Sequence, residues 1–275
     1  MFLGLIFVLV SAYARPFIDT QGEDIVHSNK PALRVCILET CVRPLRTQQL
    51  YGTVAESFKN CLSSAFNVTV VDSFDARFPE RYPFVEELNQ KYDLVIIPGS
   101  FVSVMRWENW MGAMVEDVIK DANRQFWVMG VCFGHQLVAH AYGAQVVKVP
   151  GGWESGSLLF DCIDHPAFCD GQTHQTKPTI RVLSSHLEHA LFTQPPPDDL
   201  KVWAWNARCP VQALSSVKHK LFTTQFHPEY SKEYFTGTAG VRGASDPDIL
   251  AQVEARALDS SKVIAYLKSL MLKGG

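Results

Sequence analysis

Between Leu33 and Tyr142 the chain alternates short runs that are apolar at almost every position with longer runs in which apolar residues recur every three or four. "LRVCILE" (33–39) is of the first kind and predicts a strand; "TQQLYGTVAESFKNCLSSAF" (47–66) is of the second and predicts one helix. "VTVVDSF" (68–74) and "DLVIIPGS" (93–100) read as further strands, the latter stopped by Pro98-Gly99. "WMGAMVEDVIKDANR" (110–124) reads as a helix, "QFWVMGV" (125–131) as a strand, and "FGHQLVAHAY" (133–142) as a helix closed by Gly143. Strands apolar on both faces and alternating with helices need cover on both sides, which predicts an α/β fold: a three-layer, open, mostly parallel sheet.

Beyond Gly143 the rhythm shortens. "AQVVKV", "SLLFDC", "TIRVLSS", "LKVWAWN", "VQALSS" and "KLFTTQF" predict short strands with close turns, an antiparallel extension on the same core. "QPPPDD" (194–199) lies between strands and reads as a rigid surface loop. Residues 231–247 are Gly-rich and weakly patterned, and "DILAQVEARALDSSKVIAYLKSLML" (248–272) supplies one or two closing helices. The expected organisation is one domain over residues 33–272.

With 275 residues, 47% of them apolar and 19% charged, the chain can bury a sizeable core. The formal charge of -3 and the lack of a run of lysine and arginine exclude a basic stripe for a phosphate backbone, so no nucleic-acid partner is expected. "MFLGLIFVLVSAYARP" joins an apolar stretch to Ala12-Tyr13-Ala14, the pattern of a secretory signal peptide over residues 1–14, although no lysine or arginine precedes the stretch. It is shorter than the about 20 residues that span a bilayer, so no stable membrane span is expected. The predicted localisation is the secretory pathway; if residues 1–14 are only an apolar extension, it is the cytoplasm. "NVT" at Asn67 is a glycosylation acceptor along that route. The cysteines are Cys36, Cys41, Cys61, Cys132, Cys162, Cys169 and Cys209. Setting Cys132 aside as a thiol leaves an even set. Cys162 and Cys169, flanking "IDHPAF", form the expected bridge, and Cys36 inside a strand reads as a buried thiol.

Cys132 lies where the strand 125–131 gives way to a helix, and ligands of open α/β sheets bind beyond the C-terminal strand ends. Gly130-x-Cys132-x-Gly134 has the spacing of a nucleophile elbow, and the following helix aims its N–H groups and positive dipole end at the sulfur. A cysteine here is either a small buried residue or a nucleophile, and partners decide. "LFTTQFHPEY" offers them: His227 and Glu229, two apart on an extended chain, leave the same face, and Pro228 keeps His227 from helical geometry. Glu229 can then fix the imidazole while the other ring nitrogen faces the thiol. N–H groups near Gly99 and Ser100, together with that of Phe133, are expected to form an oxyanion hole.

"GVCFGHQ" and "HPE" resemble the class I glutamine amidotransferase family, whose pattern "GxCxGHQ" the former matches in full. The likeness runs from about Leu33 to about Glu229. In style it is nearest to stand-alone γ-glutamyl peptidases and the amidotransferase portion of GMP synthetases, with "PGSFVSVMRWENW" (98–110) and the "GWExG" segment at 152–156 in common. The resemblance implies Cys132 as nucleophile, His227 as general base and acid, Glu229 as its orienting residue, and Gln136 holding the α-amino and α-carboxylate end of a small γ-glutamyl substrate. Ser185 and His186 fall at a substrate-contacting strand end that often reads "SHGD" in the family; Leu187 and Glu188 stand here for Gly-Asp, which leaves the shape of the glutamyl pocket open.

No cofactor and no metal are implied: His140, His186 and His189 have no cysteine or carboxylate partner at metal spacing, and His135 reads as packing on the elbow helix. Trp153-Glu154 either lines the substrate entrance or is plain loop. The leading expectation is a cysteine hydrolase that cleaves a γ-glutamyl amide through a γ-glutamyl thioester. The alternatives are an ammonia donor needing a separate synthetase partner, since no synthetase segment follows residue 229, and a non-catalytic member of the same fold. The N-terminal reading predicts that native protein begins at Arg15 and carries a glycan at Asn67. Peptide mapping that recovers an intact Met1 end defeats the secretory reading, and with it most of the case for the 162–169 bridge.

Overall fold

The structure, a computed structural model, describes residues 30–168, 177–241 and 245–274. The proposed signal peptide and Cys169 lie outside the described residues. The first half runs β1 (Ala32–Glu39), α1 (Leu45–Tyr51), α2 (Val54–Leu62), β2 (Asn67–Asp75), α3 (Val85–Lys91), β3 (Leu94–Ile97), α4 (Asn109–Met114), β4 (Trp127–Val131) and α5 (Phe133–Ala141). The second runs β5 (Gln145–Lys148), β6 (Glu154–Cys162), β7 (Thr179–His186), β8 (Glu188–Leu191), β9 (Lys201–Trp205), β10 (Ala213–Ser216), β11 (Leu221–Thr224), α6 (Lys232–Gly237), α7 (Pro247–Ala255) and α8 (Ser260–Lys273).

Nine strands form one sheet in the order β2-β1-β3-β4-β11-β10-β9-β6-β7. The pairs β2/β1, β1/β3, β3/β4 and β4/β11 are parallel. The pairs β11/β10, β10/β9, β9/β6 and β6/β7 are antiparallel. The mostly apolar central strands explain the layering, because successive side chains point to opposite faces. Val35 and Ile37 of β1 join Leu94, Ile96 and Met129 under α2 and α8, through Phe58, Leu62, Ile264 and Leu267. Cys36 and Leu38 join Val95, Ile97 and Val128 on the other face, under α3, α4 and α5, through Leu88, Met111 and Leu137. Each such fully buried side chain is worth about 1.5–3 kcal/mol of transfer free energy. Burial and the nearby Asp72 push the Cys36 thiol up to about 12, which leaves it a packed, protonated side chain as expected.

Four expectations need correction. Residues 47–66 form two helices, because Gly52 takes φ 79° and Thr53 opens a new capping box: its hydroxyl accepts from the Glu56 N–H while the Glu56 carboxylate accepts from the Thr53 N–H at 2.7 Å. "AQVVKV" does not extend the main sheet; β5 pairs antiparallel with β8 in a separate two-stranded sheet over α5. "KLFTTQF" is not part of the antiparallel run alone, since β11 lies parallel to β4 and joins the two halves of the sheet. The helix predicted at 110–124 starts as α4 and passes into a π turn over Val115–Ile119. Asn67 is exposed at the start of β2, an edge strand.

The capping box generates a prediction. Thr53→Ala removes a hydroxyl acceptor and the partner of the Glu56 side chain, and should lower stability by about 1 kcal/mol with little change in m-value, measured by urea denaturation.

Candidate active site

β3 and β4 are parallel neighbours, so their C-terminal ends, Ile97 and Val131, open on the same edge of the sheet. There the backbone turns at Cys132 with φ 52° and ψ -99°, a strained setting for a residue with a side chain, costing about 1–3 kcal/mol. The Cys132 N–H donates to the Thr224 carbonyl at 2.8 Å, which ties the turn to β11. Both flanking glycines are required by close approach. A Cβ at Gly130 would lie 2.6 Å from the Gly134 carbonyl, and one at Gly134 would overlap the Ile97 carbonyl oxygen.

The histidine arrives from β11. Regular pairing stops at Thr224, and the His227 N–H then donates to the Leu183 carbonyl of β7 at 2.8 Å, an isolated antiparallel bridge. His227 Nδ1 lies 2.7 Å from Glu229 Oε1, with both side chains buried. A carboxylate only accepts, so Nδ1 carries the proton and Nε2 is left as the basic nitrogen. Tyr230 stacks on the ring with centroids 3.8 Å apart and planes 6° from parallel, and Cys61 Sγ donates to the Pro228 carbonyl at 3.3 Å. Burial, with the Glu229 charge beside it, pushes the Cys61 thiol up, so it stays an S–H donor that pins the 227–229 turn.

Gly99 brings these groups together. A Cβ at Gly99 would stand 2.9 Å from His227 Cε1 and 3.5 Å from Cys132 Cβ, so Cys132, the imidazole and the β3 turn converge on one point. Thr40 Oγ1 donates to the Gly99 carbonyl at 3.2 Å, and Ser100 Oγ donates to the Thr40 carbonyl at 3.2 Å. Gly99, Ser100, Phe133, Gln136, Ser185 and His186 all line one cavity of about 1160 Å³ with Cys132, His227 and Glu229. Every residue singled out in the sequence as a site residue is therefore in one place. Outward the cavity is rimmed by exposed apolar side chains, among them Phe101, Met105, Trp153 and Val241.

Finer contacts adjust the expectations. Gln136 Nε2 donates to the Glu188 carbonyl at 2.8 Å and to Gln225 Oε1 at 3.1 Å, so its amide nitrogen supports the wall of the cavity. Glu188, which stands where the family pattern has Asp, has both oxygens engaged, with Lys148 Nζ at 2.7 Å and Ser103 Oγ at 2.6 Å. Nothing local in the sequence points to that junction, because its partners come from β5 and from the turn after β3. His135, on the buried face of the elbow helix, is a packing residue as expected: its Nδ1 lies 2.7 Å from Thr223 Oγ1, and burial lowers its pKa to about 3. His140 sits against the Ala144 carbonyl.

The reading of His186 as lacking a carboxylate or cysteine is corrected. Its Nε2 lies 3.1 Å from Glu154 Oε2, and Cys209 joins them in a buried group. Trp153 lines the cavity while Glu154, next to it, points inward and is buried. Burial alone would raise Glu154, but when the His186 ring is protonated its hydrogen bond and charge, with Cys209 and Asn206 gathered around the carboxylate, outweigh burial and hold the carboxyl at about 2.

Known proteins share the family and the fold. The family model for glutamine amidotransferase class-I matches residues 49–237. The chain is 31% identical over 145 residues to the glutamine-hydrolyzing GMP synthase subunit of Sulfolobus acidocaldarius, covering 53% of this chain and 71% of that one. To γ-glutamyl peptidase 4 of Arabidopsis thaliana it is 28% identical over 169 residues, 59% of this chain and 62% of the peptidase. A glutamine amidotransferase from Thermotoga maritima shares the fold with a TM-score of 0.59 at 16% identity, over 90% of this chain and 98% of the other. The chain belongs to the class I glutamine amidotransferase family. Among the described residues no helix is long and apolar enough to cross a membrane.

The elbow generates a second prediction. Gly134→Ala must separate α5 from the end of β3, and should lower stability by about 3 kcal/mol or more in urea unfolding. Gly143→Ala, with open space around its Cβ but φ 98°, should cost about 1 kcal/mol, the strain alone.

Proposed function

We propose that the chain is a cysteine hydrolase cleaving the γ-glutamyl amide of γ-glutamyl peptides, its catalytic domain running over residues 33–272. Cys132 gives its proton to His227 Nε2 and attacks the γ-carbonyl carbon; the negative oxygen is met by the N–H groups of the Gly99-Ser100 turn and of Phe133. His227 passes the proton to the departing amine as the C–N bond breaks, leaving a γ-glutamyl thioester. Water, deprotonated by the same imidazole, attacks that thioester and releases glutamate and the thiol. Glu229 holds the imidazole and its transient charge. Gln136, Ser185 and His186 form the end of the pocket that takes the α-amino and α-carboxylate groups.

The observation that carries the choice of substrate is the size of the cavity. About 1160 Å³ exceeds the about 300–1,000 Å³ usual for small-molecule sites, and its outer part is rimmed by apolar side chains where a leaving group would lie. A glutaminase releasing only ammonia needs none of that outer space for its leaving group. The similarity to γ-glutamyl peptidase 4 supports the same reading, while that to the GMP synthase subunit favours a second one, ammonia delivery to a separate synthetase. A secreted location remains part of the first reading, resting on residues 1–14.

Steady-state kinetics on purified protein test the choice: γ-glutamyl dipeptides should be hydrolysed without a partner at a higher kcat/KM than glutamine. Glutamine preference, or turnover only when a synthetase is added, would promote the second reading. Cys132→Ala should retain the fold by circular dichroism and lose about 10⁴-fold or more in kcat. Activity that survives this change removes the cysteine from its assigned role.

A further inference from the structure

Behind the cavity wall, three strand ends bring together Glu154 at the start of β6, His186 at the end of β7 and Cys209 in the turn between β9 and β10. Their ligand atoms all lie within 4.8 Å of one another, and all three residues are buried. No step of the proposed reaction uses Glu154 or Cys209.

The protonation of the ring makes the group unusual. His186 Nδ1 lies 3.0 Å from the Glu188 carbonyl oxygen, which only accepts, so Nδ1 carries a proton. In the neutral ring Nε2 then presents a lone pair. That atom is fully buried, has no directed hydrogen-bond partner among the described residues, and stands 3.1 Å from an oxygen of the Glu154 carboxylate. Two lone pairs facing each other at this distance away from water repel, and a positive charge must join them. Either a second proton sits on the imidazole or a cation is shared.

The surroundings favour the cation. Without an ion the Cys209 thiol keeps its proton and donates it to the Glu154 carboxylate; with one, the same sulfur is a soft third donor at the same spot, beside a ring nitrogen that a proton alone leaves without a directed partner. The outer partners are those that orient metal ligands: His186 donates its other N–H to a backbone carbonyl, and Gln212 Nε2, at 2.8 Å, and Asn206 Nδ2 donate to the Glu154 carboxylate. The 3.1 Å nitrogen–oxygen separation is close to the about 3.3 Å edge of a tetrahedron with metal bonds of about 2.0 Å. The charge balances too, since one carboxylate and one thiolate neutralise a divalent ion in a buried place. We propose that Glu154, His186 and Cys209 form a site for a zinc-class divalent cation, with water as the fourth ligand. On binding, metal–oxygen, metal–nitrogen and metal–sulfur bonds form, the Cys209 thiol releases its proton to solvent, and nothing is oxidised or reduced. The ion would tie the ends of β6 and β7 to the β9–β10 turn, fixing the strand end that carries Ser185 and His186 into the cavity.

The test is a Co²⁺ titration of the full chain carrying Cys132→Ala, so that the thiol in the cavity cannot contribute. One equivalent should bring up a thiolate-to-cobalt band in the near ultraviolet and the visible bands of tetrahedral Co²⁺, both displaced by Zn²⁺. Adding Cys209→Ser should abolish the thiolate band, and adding Glu154→Gln should weaken binding by at least the about ten-fold that loss of an outer partner costs. Circular dichroism shows that each variant is folded. Absence of the bands in the Cys132→Ala protein, which needs no change in the cluster, overturns the site in favour of an imidazolium–carboxylate pair. So does a thiolate band that persists without Cys209.

Discussion

The meeting of α5 with the end of β3 sets the terms for everything else. Gly134 lies so close to the Ile97 carbonyl that a methyl group has no room, and Gly130 faces Gly134 across the same turn at a distance that excludes a side chain. Only this approach lets the chain leave β4, place one residue at φ 52° and enter a helix at once. The strain at Cys132 is small beside the apolar burial on either face of β3 and β4, so the packed sheet holds the turn in a geometry the turn would not choose. The proposed nucleophile's position and the stability of the fold are therefore the same contact seen from two sides.

The second half of the chain answers a different need. The proposed reaction needs a base at fixed distance from the thiol at the end of β4, and β11, parallel to β4 and tied to it through the Cys132 N–H, places His227 three residues beyond its last paired position. The bridge from His227 to Leu183 and the Cys61 hydrogen bond to Pro228 then stop that segment from moving, while Tyr230 covers the ring. Since β11 also pairs with β10, the antiparallel extension is the frame that holds the histidine, and it holds the wall opposite as well, through Ser185, His186 and Glu188. Hydrogen bonds in that wall cross between elements, which stiffens it: Glu188 alone joins β5, the turn after β3, Gln136 and His186.

Much of this was legible in the residue order. The parallel strands are short and apolar, so periodicity finds them; Gly130, Cys132 and Gly134 are close in sequence because a turn is local; His227 and Glu229 are two apart because an extended chain repeats every two. These are short-range constraints, and short-range patterns record them. The helix break at Gly52-Thr53 was also written there, in Thr53 followed three residues later by Glu56, but an unbroken amphipathic stripe concealed it.

What the tertiary structure alone decided lies where distant segments meet. The pattern of "KLFTTQF" marks a strand and says nothing of its neighbour, and only the sheet order shows it parallel to β4. "AQVVKV" carries the same strand signal, yet its partner is β8 and its sheet a separate one. The pairing of Glu154 with His186 and Cys209, and of Lys148 and Ser103 with Glu188, joins residues scattered over β5, β6, β7, β8, the turn after β3 and the β9–β10 turn. Burial removes the solvent that would otherwise satisfy Glu154, His186 and Cys209, so each must find a partner through space. Which partner it finds depends on how the strands are ordered, and no spacing along the chain encodes that order.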